Sequence, residues 1–392
     1  MNDTQKTRVV ESLAGLMERG DEVDRCCVCR ALGELGDRES ASLLIERLRD
    51  EDIDVCIDAA EALGRLGEAG AVPALLETLS NDPDGEVKTA AVDALGRIGG
   101  ADVMTQLMQV AATRPDDLLF DAGSDWDAWW DIQLKAVEAL GRLHSDAALP
   151  VLTGILEDEE SQDIENEVLI AMARIGGEAD SYLVRQLKEA GYRERRRTAR
   201  ALRKSQSLET LKALGWALKD ENADVRQEAV ESLAEREAVQ FLPAILILFR
   251  DPDAGVRDMA LRAAEKLAAL DGGELDAGTL LPLLDDGDAR VRRTVLNSLA
   301  GRETALDEAA LEKVLSLIAG DADTDVVSVA GKLLARQQPE GAAETIVALL
   351  RDASRPAALR RPLAEILGGL GCWNAAVEEA LIESIKHSDK LL

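Results

Sequence analysis

Three groups of residues have the types and spacing that chemistry asks for. Cys26 and Cys29 stand three apart on one stretch, and Cys56 falls at nearly the same level of a similar stretch. Thiols grouped in this way are the donors of zinc, iron–sulfur or bilin sites, which makes Cys26, Cys29 and Cys56 the candidate metal ligands. No fourth ligand accompanies them, and Cys also serves as a small apolar residue in tight helix packing; Cys27 falls on an Ala core position of the pattern described below. No cofactor is therefore assigned.

The second group is FDAGSDWDAWWD at 120–131, which holds three of the five Trp, four Asp and no basic residue. Phe120, Trp126, Trp129 and Trp130 have two readings: they fold back to fill a gap in the core, or some of the rings face outward to anchor a partner. In the second case Asp121, Asp125, Asp127 and Asp131 select a basic rim. A calcium loop is disfavoured, because the D-x-D spacing lacks the central glycine and closing glutamate of an EF-hand. The third group is GYRERRRTARALRK at 191–204, where Arg193, Arg195, Arg196, Arg197 and Arg200 interrupt an acidic chain. It is either a solvated helix face balanced by neighbouring acids, or a patch that docks an acidic partner or anionic ligand through bidentate guanidinium contacts.

No catalytic constellation accompanies these groups. The two histidines, His144 and His387, are far apart, and the chain has no P-loop, no G-x-S-x-G and no H-E-x-x-H. The expectation is a protein that is not an enzyme. The formal charge of -30 disfavours a nucleic-acid groove, since phosphate binding draws on Lys and Arg; it reads as a solubilising or salt-adapted surface, or as the complement of a basic partner. FLPAILILF at 241–249 is far shorter than the roughly 20 apolar residues of a membrane span, and the N-terminus carries no export signal. An odd number of cysteines makes no disulfide framework, so the expected compartment is the cytoplasm.

The elements that position these groups follow from self-similarity. VCIDAAEALGRLG (55–67), VKTAAVDALGRIG (87–99) and IQLKAVEALGRLH (132–144) are one pattern, and looser copies continue to the C-terminus. Aligned on the glycine of A-L-G, the copies fall at Gly33, Gly64, Gly96, Gly141, Ala173, Arg203, Ala234, Glu265, Ala300, Ala335 and Gly368. One unit of about thirty-one residues accounts for every step except the one from Gly96 to Gly141, so residues 114–131 read as an insertion within the fourth repeat. Each unit pairs a Leu/Val-rich first helix with a V-x-x-A-A-x-x-A-L-G second helix across an Asp/Gly/Pro turn. The A-L-G glycine is expected to end the second helix in a left-handed cap.

The pattern resembles HEAT repeats of the short type noted in phycobilisome lyases, over essentially residues 5–390. That resemblance implies an all-α, right-handed α-solenoid of about eleven helix pairs with a C-terminal capping helix, forming a single domain over 1–392 whose second helices line a concave face. It also implies a binding scaffold for another protein, similar to accessory factors of cofactor-bearing complexes, among them phycobilin lyases and a nitrogenase-associated factor. The expected function is a non-catalytic assembly, maturation or protection factor with a protein partner, no nucleic acid and no membrane. A bilin- or metal-cofactor lyase or chaperone acting through the cysteines is the alternative, and nucleic-acid binding through 191–204 a further one.

Overall fold

The computed structural model describes residues 3–112, 127–157, 164–302, 306–352, 357–371 and 373–386. They form two compact units, Met1–Ala213 and Leu214–Leu392. Every described element is a helix, and no strand occurs among the described residues. The helices alternate in the order the repeats predict, from Asp3–Arg19 with Glu22–Leu35 to Ala342–Arg351 with Ala357–Leu370, giving eleven pairs among the described residues, and Ala375–Lys386 follows the last pair. The protein is an all-α solenoid. Within each unit the main packing is between the second helices of successive pairs, as for Glu22–Leu35 on Ile53–Leu66 and Ala223–Glu235 on Ala254–Leu270.

The reason lies in the small residues. In Ile53–Leu66 the buried side is Val55, Ala59, Ala60, Ala62, Leu63 and Leu66, a stripe at helical spacing that leaves charged residues on the opposite side. The A-L-G glycine corrects the sequence expectation. Gly33, Gly64, Gly96 and Gly141 lie inside their helices, where a Cβ would come within 3.0, 2.8, 2.3 and 2.8 Å of the Cα or Cβ of the corresponding Ala in the next repeat. Glycine is there because two backbones cross at that point. The left-handed cap comes three residues later, at Gly36 (φ 63°) and Gly67 (φ 61°), whose amides donate to the carbonyls of Gly33 and Leu63.

A second device runs through the turns. Residues of the form Asp-x-Asp/Asn precede the second helices, as at Asp50 and Asp52, Asp220 and Asn222, Asp251 and Asp253, Asp286 and Asp288, and Asp321 and Asp323. The first Asp accepts from the amide two residues on, closing the turn. The second residue caps the following helix: Asp52 accepts from the Val55 amide, Asn222 from Asp224 and Val225, and Asp323 from Asp325 and Val326.

The first Asp also receives an arginine from the preceding repeat. In the second unit Arg226 meets Asp251, Arg257 meets Asp286 and Arg292 meets Asp321, each through two guanidinium nitrogens at 2.6–2.8 Å. Each arginine also donates to the carbonyl of its own turn's first Asp, at Asp220, Asp251 and Asp286. In the first unit Arg25 meets Asp50 at 2.9 Å. These four arginines sit eight residues before the aligned A-L-G position, so in their repeats one register site stitches a pair to the next.

Candidate functional site

The cysteine group dissolves in the structure. Cys26, Cys29 and Cys56 are all buried and Cys27 is exposed, so it is Cys29, aligned with Ala60, that takes the Ala core position expected for Cys27. Cys56 occupies the register site of the stitching arginines, and its Sγ makes the same type of contact, donating to the Asp50 carbonyl at 3.4 Å. Burial, then the Asp58 carboxylate, push the Cys26 thiol up to about 11. Burial first, and the charge of Asp58 after it, push Cys29 up to about 12. A thiol held neutral in this way is a poor nucleophile and a poor soft-metal ligand. No group of three metal-binding side chains occurs among the described residues.

Of the Trp insertion, Phe120, Asp121, Asp125 and Trp126 lie outside the described residues. Asp127 opens the helix Asp127–Arg142, which places Trp129 and Trp130 in the first turns of the fourth pair's second helix. The two rings stand edge to face, with centroids 4.4 Å apart and an interplanar angle of 64°. Both are half-buried, and Asp131 beside them is exposed. Both residues lie between core and surface, partly packed and partly exposed.

The arginine group divides by register. Helix Tyr192–Ala201 carries all five candidates. Arg195 occupies the register site of the stitching arginines, and its Nη1 donates to the Ala190 carbonyl at 3.0 Å, as Arg226 does to the Glu221 carbonyl of its own turn. Arg197 is half-buried and paired with Glu165 of the previous repeat. Arg193, Arg196 and Arg200 are exposed, and Arg193 lies on the Tyr192 ring and hydroxyl. Thus Arg195 and Arg197 hold the frame, and the outward charge rests on the other three.

Arg193, Arg196, Arg197 and Arg200 lie ten, seven, six and three residues before the aligned position, the i, i+3, i+4, i+7 spacing of one helix face. In several other second helices the same positions supply the side chains of a shared face. Near the N-terminus they supply Cys26, Arg30, Asp54 and Asp58, which line a cleft of about 340 Å³. In the second unit they supply Arg262, Arg290, Arg293, Asn297 and Lys332, which line one of about 440 Å³.

The profile of HEAT repeats matches residues 42–123, 124–203, 182–265 and 211–300. The chain belongs to the HEAT-repeat family. No curated protein matches its sequence. Among solved structures, an engineered protein is similar at 20% identity over 95% of this chain and 100% of its own, with a TM-score of 0.33. Human deoxyhypusine hydroxylase in complex with glycerol is similar at 20% identity over 67% and 97%, with a TM-score of 0.31. The complex of CpcE and CpcF of phycocyanin lyase from Nostoc sp. PCC7120 is similar at 18% identity over 84% and 94%, with a TM-score of 0.25. Likeness of this degree bears on neither activity nor ligand.

As a HEAT-repeat chain the molecule has ridges of second-helix side chains in which charge is sorted by repeat, a feature the sequence reading missed. The signal was present: four fixed offsets from each aligned position, rather than runs of like charge, pick out Arg262, Arg293 and Lys332 on three successive repeats. Exposed apolar residues were also passed over, among them Trp216 and Ile247 on the first helices of successive pairs. No described helix is long and apolar enough to cross a membrane.

Proposed function

We propose that this HEAT-repeat protein is a non-catalytic scaffold that holds another protein, acting as an assembly, maturation or protection factor on a larger cofactor-bearing enzyme in the cytoplasm. In its sharpest form the client is a nitrogenase-type metalloenzyme. The reading takes 1–392 as one run of repeats and 114–131 as the insertion that meets the partner. The observation that carries it is the half-buried Trp129–Trp130 pair, placed where the repeat is interrupted. Two adjacent rings that the repeat pattern does not require, each keeping accessible surface, have the character of an interface anchor. Arg193, Arg196 and Arg200, with Phe120, Asp125, Trp126 and Asp127 of the insertion, complete the proposed contact set.

The alternative of a bilin- or metal-handling lyase needs reactive thiols, and the raised ionisation of Cys26 and Cys29 weighs against it. Binding of nucleic acid through 191–204 is weakened by the commitment of Arg195 and Arg197 to neighbouring groups. The test is capture of partners from the native cells by tagged protein, with the Trp129→Ala/Trp130→Ala double variant alongside. The expected result is a stoichiometric enzyme subunit retained by the parent and lost by the variant, with a melting temperature within a few degrees of the parent's. Loss of fold in the variant, or equal capture by both, refutes the Trp anchor.

A further inference from the structure

The second unit carries a charged groove that the proposed function does not use. Its floor is the outer ridge of three successive second helices, Ala254–Leu270, Ala289–Gly301 and Thr324–Gln337. The position three residues before the aligned site gives Arg262, Asn297 and Lys332, one side chain from each helix, all exposed. Arg290 and Arg293 flank this row from the middle helix, and Thr294 and Ser328 add hydroxyls. The cations do not stand equally ready. Arg262 holds Asp258 at 3.0 Å, Arg290 holds Asp288 at 3.0 Å and Arg293 holds Asp325 at 2.8 Å. No ion pair forms at Lys332 and no hydrogen bond at the Asn297 amide, among the described residues.

Four cations and one carboxylate, Asp325, line the groove, in a protein whose formal charge is -30. The same register site on the helices to either side, within this unit, holds Glu231 and Glu365. A row reading Glu, Arg, Asn, Lys, Glu attracts anionic groups at its centre and not at its ends, where Glu365 is held by Arg361. Such an arrangement fixes the register of an elongated ligand as well as attracting it.

Spacing decides what kind of ligand fits. Neighbouring packed helices lie about 8–10 Å apart. An extended peptide in the polyproline II conformation has three residues per turn and rises about 3.1 Å per residue, so side chains three residues apart share one face and recur at about 9 Å. We propose that the groove lined by Arg262, Asn297, Arg293 and Lys332 binds an extended acidic peptide segment of a partner, with a carboxylate at about every third residue facing Arg262, Asn297 and Lys332 in turn. Arg293 sits between the outer two contacts and meets the backbone carbonyls of the segment, while the Thr294 hydroxyl donates to Asp258. A single phosphate is disfavoured by the same geometry: the donors are spread over three helices and do not converge on one point. The proposal stands apart from the Trp insertion and can hold or fail without it.

The experiment uses the full-length protein and a fluorescent synthetic peptide of ten residues with glutamate at every third position, followed by polarisation at low ionic strength. Two controls carry glutamine in place of glutamate, or the same glutamates in one block. The expected result is binding by the spaced acidic peptide, at least tenfold weaker binding by both controls, and progressive loss with added salt. Lys332→Glu with Arg262→Glu abolishes that binding, the milder Lys332→Gln weakens it several-fold, and Arg8→Glu, at an exposed position in the first unit, leaves it unchanged. Far-ultraviolet circular dichroism of each variant confirms that it is folded. Equal binding of the glutamine peptide, undiminished binding by folded Lys332→Gln and double variants, full displacement by millimolar inorganic phosphate, or tighter binding of a single-stranded oligonucleotide each overturns the proposal.

Discussion

At the scale of single residues, the arginine eight positions before A-L-G is the most consequential side chain in the second unit. Arg257 reaches Asp286 through two nitrogens and its own turn's Asp251 carbonyl through a third contact, and both partners are largely withdrawn from water. Removing it leaves a carboxylate desolvated without its counter-charge, a loss of about 3 kcal/mol for buried pairs of this type. Arg257→Ala is therefore expected to lower stability by about that amount in denaturant titrations. Arg262→Ala, which removes an exposed pair on the same helix, costs under about 1 kcal/mol. Equal effects from the two would show that the stitching contact is no more than a surface pair.

At the scale of helices, the crossing between successive second helices sets which residues are tolerated. Gly96 sits where a Cβ would stand 2.3 Å from the Ala139 Cβ, so the two backbones must separate to admit a methyl group. Alanine gains about 1 kcal/mol of helix propensity over glycine, and overpacking costs about 1–3 kcal/mol, so the clash outweighs the gain. Gly96→Ala is expected to lower the melting temperature. Gly154→Ala, on the exposed side of Leu149–Glu157 with nothing within 4 Å of the added Cβ, is expected to raise it slightly. The opposite signs of two identical substitutions are the check, read by thermal melts of both variants. The Asp-x-Asp turns belong to this scale too: they place acidic residues in caps and stitches, so part of the chain's acidity is structural and does not face a partner.

At the scale of the whole molecule, the two units set opposite ends of one pH window. In the second unit, burial alone raises the Asp286 carboxyl, but the Arg257 hydrogen bonds, the Asp288 amide and the Arg257 charge outweigh it and the net shift is downward. Hydrogen bonds from Arg290 bring Asp288 down to about 2. Carboxyls lowered on folding contribute stability that is present above about pH 4, where the unfolded chain ionises, and is lost as pH falls toward 2. In the first unit, Cys26 and Cys29 are raised to about 11 and about 12, so their contribution is present below about pH 9 and is lost as pH rises through those values. Melting temperature against pH should be flat from about 5 to 8 and fall on both sides. Asp286→Asn is expected to lower the plateau through loss of the Arg257 pair and to flatten the acid limb, and Cys29→Ala to flatten the alkaline limb. A limb that does not respond to its own variant would assign the titration to other groups.

The repeat period and the helix pairs could be read from the sequence, because Ala, Leu and Gly recur at fixed offsets and local periodicity alone dictates which face of each helix is apolar. The role of the A-L-G glycine could not: a cap and a close crossing select the same residue, and only the approach of Ala62 or Ala139 from the next repeat separates them. Sequence adjacency grouped Arg193, Arg195, Arg196, Arg197 and Arg200 into one patch, whereas tertiary packing half-buries Arg195 and Arg197 against the Ala190 carbonyl and Glu165 and leaves the other three on an outward face. It also grouped three cysteines that packing assigns to separate core and stitching positions. The groove of Arg262, Asn297 and Lys332 has no local signature at all, since its members lie 35 residues apart and meet only because successive second helices pack side by side. Composition and period determine a solenoid; which side chains share a surface is decided by the stacking of one repeat on the next.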